Sequence, residues 1–204
     1  MPGVRLATPI LKQGETASLA VAVMRFTTII WRSVISAVLL LTWNSAALAV
    51  DGFAFEAGWA TNTDMARIGA QWQWPQRWFQ GDSRHLGGYW DVSVAEWERD
   101  HRPGERAYLT EFGVTPVFRL QANNLRGIYL EGGIGAHLLS ETRLGDKNFS
   151  TSFQFGNHLG FGYRFGARGA YDLGYRYQHL SNGAIKHPND GINFQQIRLQ
   201  YWFE

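Results

Sequence analysis

Two residues apart in the run YDLGYRYQHLSNGAIKHPNDGINFQQIRLQYWF, Tyr171 to Phe203, stand His179 and Ser181, the side chains a hydrolase uses as general base and nucleophile. In an extended strand, residues at i and i+2 share a face, so an imidazole nitrogen can approach the serine hydroxyl where the strand end twists. The turn that follows, SNGAIKHPNDG, is rich in Gly, Asn and Pro and offers backbone N–H groups that could face an oxyanion. The plainer alternative is a pair of polar residues where a strand leaves an apolar layer, because H-x-S alone is a weak pattern.

Other chemistry-bearing residues are less promising. His187 lies near Asp190 in the same turn, but no further ligand stands at a zinc-like spacing, so it reads as a solvated loop histidine. His137 and His158 read as interior or rim residues satisfied by hydrogen bonds. GDKN, Gly145 to Asn148, is either a plain turn or a loop that brings Lys147 to an anionic substrate. No phosphate-binding glycine loop, dinucleotide fingerprint or basic stripe is present, and nothing in the sequence asks for a cofactor or a metal.

Whether His179 and Ser181 form a site depends on the elements that carry them. After Ala49 the chain shows no convincing amphipathic helix, only segments of about ten residues in which alternate positions are apolar or aromatic. In the segment containing the motif, Tyr171, Leu173, Tyr175 and Tyr177 alternate with Asp172, Gly174, Arg176 and Gln178. Similar segments start near Phe53, Ile68, Trp90, Tyr108, Ile128, Phe155 and Ile197, which makes eight strands.

Strands of that length suit a tilted crossing of a bilayer better than a soluble sandwich. The face opposite the apolar one carries Glu56, Arg67, Asp91, Glu111, Glu131, Asp172, Arg176 and Arg198, mixed charges suited to pairing inside a narrow lumen. Tryptophan and tyrosine near strand ends suit two interfacial belts. The fold expected is an all-β, eight-stranded antiparallel transmembrane β-barrel of the bacterial outer membrane. Its connections at 75–84, 121–126 and 167–169 would be periplasmic, and those near 62–64, 100–106, 140–153 and 182–190 would face outward. His179 and Ser181 continue the odd series of their strand and should therefore face lipid, where a polar pair is expensive unless it has a task.

Residues 1–49 have the layout of a secretory signal peptide: Met24, Arg25 and Arg32, an apolar run from Val34 to Leu41, then ALA at Ala47 to Ala49. Residues 1–23 lack that pattern and read either as an upstream extension of the reading frame or as an untidy n-region, which leaves 50–204 as the barrel. Without the leader, 19 basic and 17 acidic residues become 15 and 16, because Arg5, Lys12, Arg25, Arg32 and Glu15 go with it. The basic balance thus says nothing about nucleic acid. Export of a chain with no cysteine excludes disulfides and thiol chemistry, so any nucleophile is an oxygen or a nitrogen.

The run HLSNGAIKHPNDGIN, His179 to Asn193, resembles the signature of the outer-membrane lipid A 3-O-deacylases, the PagL family. GYWDVSVAEWE and EGGIGAHLLSETRLGDKN resemble earlier strands of that family, and the likeness extends over about residues 52–203. It implies a barrel that acts on lipid A, the lipid anchor of lipopolysaccharide, and removes the acyl chain at the 3 position. By matching positions, Ser181 would be the nucleophile, His179 the general base, and the backbone N–H groups near Asn182 and Ala184 the oxyanion donors. The family more often has Gly at the second of these.

The family pattern places a glutamate beside the histidine where this chain has Asn193. Asn193 shares the odd face of its strand with Ile197, Leu199 and Tyr201, so its amide carbonyl can lie beside His179, and Asp190 in the turn is the alternative partner. Two other functions remain open at the level of sequence. One is a non-enzymatic small barrel, structural or adhesive, in which His179 and Ser181 are freely replaceable. The other is a lipid A acyltransferase, which would add acyl mass rather than remove it.

Overall fold

The computed structural model describes residues 49–203, so the expected signal peptide falls almost entirely outside the described residues. Strands run over Gly52–Ala60 (β1), Thr63–Gln73 (β2), Arg84–Arg102 (β3), Glu105–Ala122 (β4), Gly127–Leu139 (β5), Arg143–Leu144 (β6), Lys147–Asn148 (β7), Phe153–Phe165 (β8), Tyr171–Ser181 (β9) and Ile192–Trp202 (β10). Eight of them close an antiparallel barrel in the order β1-β10-β9-β8-β5-β4-β3-β2, and β6 and β7 form a separate two-stranded hairpin.

The eight expected strands are therefore present, with two differences. β3 and β4 have 19 and 18 residues, far more than the ten expected, because their hairpin continues past Arg99, where the pairing with β2 ends. The stretch 140–153, read as a plain loop, contains the β6–β7 hairpin. Both chain ends of the barrel and the connections after β2, β4 and β8 lie at one end. The turns after β1 and β3, the β5–β8 excursion and the β9–β10 loop lie at the other.

The polarity is that of a soluble protein turned inside out. Leu159 is 74% exposed and Ile134 67%, whereas Arg176 and Arg198 are each 1% exposed. Only a hydrocarbon surrounding makes that arrangement stable, since water outside would reward the opposite one. Parity enforces it, because a one-residue slip in any strand would exchange the two faces.

Within the lumen, five arginines (Arg67, Arg119, Arg164, Arg176, Arg198) face five carboxylates (Glu56, Asp91, Glu111, Glu131, Asp172), all buried. Glu131 sits at the centre, with Arg119 at 2.7 Å, Arg198 at 2.8 Å and Arg176 at 3.1 Å, and Tyr89 donates its hydroxyl to the same carboxylate at 2.9 Å. Asp172 takes Arg119 at 2.6 Å and the Tyr129 hydroxyl at 2.5 Å. Arg176 lies 3.5 Å from both Glu56 and Asp91, whereas Arg164 donates to the Gly169 carbonyl and Gln121, and Glu111 is held by His137 and Trp97.

Toward the outer end the lumen changes character. Met65, Trp97, Leu139, Leu144, Phe149, Leu180 and Phe194 belong to one buried apolar cluster, with the Trp97 and Phe194 rings 4.8 Å apart. This plug is where the site-bearing strand ends find their footing.

Candidate active site on the lipid-facing wall

β9 ends at Ser181 and β10 begins at Ile192, and their ladder pairs Leu180 with Ile192 and His179 with Asn193. Leu180, Ile192 and Phe194 are all buried in the apolar plug. Anchoring these inward residues fixes the opposite parity of their neighbours, so His179, Ser181 and Asn193 face outward together. The side-chain period of two, combined with a greasy plug, is what places a polar trio on the membrane face.

His179 Nδ1 lies 2.7 Å from Asn193 Oδ1. An amide oxygen can only accept, so Nδ1 carries the hydrogen and Nε2 keeps its lone pair for a proton from elsewhere. Ser181 is the next outward residue along the same strand. Asp190, the alternative partner, is engaged by the β6–β7 hairpin: its Oδ2 accepts the Asn148 N–H at 2.7 Å and its own N–H donates to the Asn148 carbonyl at 3.3 Å.

The loop between the strands is held from within. Asn182 is buried, and its Nδ2 donates to the carbonyls of Phe149 at 3.0 Å and Lys186 at 2.7 Å. Its backbone N–H donates to Asn189 Oδ1 at 3.1 Å, so as an oxyanion donor it must first release that amide. Gly183 and Ala184 follow with φ of 63° and 64°. Ala184 is thus an L residue in the left-handed region that favours glycine.

Gly191, with φ of 53°, closes the loop against the pair. A Cβ on it would lie 3.2 Å from His179 Cε1 and 3.6 Å from Ser181 Cβ. Sequence reading did not single out Gly191 or Asn189. For Gly191 the signal was there, a glycine directly ahead of a strand in DGIN.

On β8, Phe155 is the ladder partner of Ser181 and Asn157 that of His179, while Leu159 and Phe161 pair with Tyr177 and Tyr175 further down. On the other flank Gln195 accepts the Tyr175 hydroxyl at 3.1 Å, and Ile197 and Leu199 continue toward the membrane centre. A polar cluster at the outer end thus opens onto a wall of exposed apolar side chains, against which an acyl chain can lie without meeting water.

The other histidines separate cleanly. His137 is buried with Nδ1 on the Glu111 carboxylate and Nε2 3.4 Å from Thr115 Oγ1, a Thr, His, Glu grouping sealed inside the lumen without access for a substrate. His158 is also buried, but neither ring nitrogen has a hydrogen-bond partner among the described residues, contrary to the satisfied interior residue expected. His187 is exposed in the outer loop, and no group of three or more His, Asp or Glu among the described residues is placed to hold a metal.

A closed barrel with a charged lumen, an apolar outer surface and a serine, histidine and amide on its membrane face defines an integral outer-membrane barrel of the enzyme class. The family model described as lipid A 3-O-deacylase (PagL) matches residues 64–202, and the chain belongs to that family. The lipid A deacylase PagL of Pseudomonas aeruginosa is 35% identical over 126 residues, 62% of this chain and 70% of that protein. The lipid A deacylase PagL of Bordetella bronchiseptica is 31% identical over 146 residues, 67% of this chain and 76% of that protein. Among solved structures, that of the outer membrane enzyme PagL superposes with a TM-score of 0.66 at 29% identity, covering 74% of this chain and 99% of the other. The protein is accordingly an outer-membrane hydrolase acting on an ester bond.

Proposed function

We propose that this protein removes the ester-linked acyl chain at the 3 position of lipid A, working from the outer leaflet by serine esterase chemistry on Ser181 and His179. Membership of the family makes deacylation of lipid A the activity. The observation that carries the mechanism is the 2.7 Å contact between His179 Nδ1 and Asn193 Oδ1 on the lipid face, one outward position from Ser181.

In this reading Asn193 fixes the tautomer of His179. Nε2 takes the Ser181 proton as Oγ attacks the ester carbonyl, and the tetrahedral oxyanion is received by backbone N–H groups at Asn182 and Ala184. His179 returns the proton to the sugar oxygen as it leaves. Water, deprotonated by the same imidazole, then releases a 3-hydroxy fatty acid and restores Ser181. The amide orients the ring as a carboxylate would but adds no charge to stabilise the imidazolium.

Lipid A carries its acyl esters between a polar headgroup and its hydrocarbon chains, which suits a site where a polar trio borders an apolar wall. The test is incubation of the purified, folded barrel with lipid A and a phospholipid as possible acyl donor in detergent, followed by fragmentation mass spectrometry of the product. Loss of one chain from the 3 position supports the reading, loss from another ester redirects it, and a gain of acyl mass makes the protein a transferase.

A further inference from the structure

The excursion between β5 and β8 folds back as the β6–β7 hairpin and drives Leu144 and Phe149 into the apolar plug. One side of it is fastened to the far wall of the barrel mouth, where Arg99 donates to Asp146 Oδ1 at 2.7 Å and to the Thr61 carbonyl at 2.6 Å. The other side grips the segment leading into β10. There Lys147 Nζ donates to the Gly191 carbonyl at 2.9 Å, and Ser150 Oγ donates to the Pro188 carbonyl at 2.5 Å.

Gly191 is the residue whose backbone walls the imidazole, with room for no more than a tight Cβ before His179 Cε1 at 3.2 Å. We propose that Lys147 is a positioning residue for catalysis, its ammonium pinning the Gly191 peptide against His179 and Ser181 while the hairpin is braced on Arg99. The proposal rests on the reading of His179 and Ser181 given above and deepens it. Ladder bonding ends at Ser181 and resumes at Ile192, and strand ends fray unless something outside the ladder holds them. A charge-assisted bond to a carbonyl within the loop does that.

An ammonium has three protons, so Lys147 could also face a phosphate of the substrate, and kinetics separate the two roles. Lys147→Met and Lys147→Arg are compared with wild type in detergent, on lipid A with its phosphates and on dephosphorylated lipid A. Folding is checked by the electrophoretic shift of the unheated barrel, and Ser181→Ala serves as control. Lys147→Met should lower kcat about tenfold on both substrates and leave KM within about twofold, and Lys147→Arg should restore most of the loss.

Unchanged kcat overturns the proposal, as does a defect that appears only as a raised KM on the phosphorylated substrate. Should Lys147→Met fail to fold, Asp146→Ala removes the acceptor of the far brace without touching Gly191 and should lower kcat roughly threefold, an unchanged kcat again overturning the proposal. Residual activity in Ser181→Ala would instead remove the underlying assignment, whatever the lysine variants do.

Discussion

Across the β9–β10 ladder His179 and Asn193 are direct partners, and the imidazole Nδ1 lies 2.7 Å from the amide Oδ1. Removing that acceptor frees the ring to rotate and to adopt the wrong tautomer. Asn193→Ala should lower kcat by roughly 10- to 100-fold, about 1.4–2.7 kcal/mol of transition-state stabilisation, in a barrel that still folds. Asn193→Glu should raise kcat severalfold over wild type, because a carboxylate also stabilises the imidazolium. Equal activity of wild type and Asn193→Ala would mean that another group orients the histidine.

Gly191 and Ala184 make opposite predictions although both sit in the left-handed region, at φ of 53° and 64°. Gly191→Ala adds a Cβ 3.2 Å from His179 Cε1, so both strain and a displaced imidazole follow, and activity should fall by about tenfold or more. Ala184→Gly relieves roughly 1–2 kcal/mol of left-handed strain, partly offset by the greater freedom of glycine in the unfolded chain. Its melting temperature should be equal or higher and its activity retained. Kinetics and thermal unfolding of the two purified variants check both statements.

Glu131 holds three guanidinium groups at once, those of Arg119, Arg176 and Arg198. Glu131→Gln keeps the shape but leaves excess positive charge buried, which should cost about 3–5 kcal/mol. Urea unfolding of the detergent-solubilised barrel measures the loss. A change within about 0.5 kcal/mol would mean that the neighbouring carboxylates rebalance the lumen without it.

In the outer hairpin, the hydrogen bond from Arg99 holds the Asp146 carboxyl below its ordinary value of 3.8. A depressed acid contributes its stabilisation above the unfolded pKa and loses it as pH falls through the folded one. The brace is therefore complete from about pH 5 to 8 and is released only below about pH 4. Amide exchange across residues 143–148 should be flat in the first range, once corrected for intrinsic rates, and should rise in the second. A rise already between about pH 5 and 8 would mean that the Asp146 carboxyl does not control the hairpin.

The barrel was legible in the sequence because its physics is periodic. The alternation of Tyr171, Leu173, Tyr175 and Tyr177 with Asp172, Arg176 and Gln178 is enough to send His179 and Ser181 outward. The same rule sends Glu56, Arg67, Asp91 and Arg198 into the lumen, where the structure has them. Arg119 and Arg164 obey the same parity and were legible in principle.

Trp97, Leu180 and Phe194 were not legible as a plug, because alternation equates an apolar side chain with lipid, and these face inward at the outer end. Nor did spacing show that Asp190 binds Asn148 and Lys147 binds Gly191, pairs separated by 42 and 44 residues. Such contacts depend on how two loops meet above the barrel, which no local pattern encodes.

The most direct measurement is the mass of lipid A from cells that express this protein or its Ser181→Ala variant, each confirmed as a folded outer-membrane barrel. The account predicts that wild type removes one 3-hydroxyacyl chain and that Ser181→Ala removes none. Lipid A left intact by the folded wild type, or shortened equally by Ser181→Ala, would contradict it.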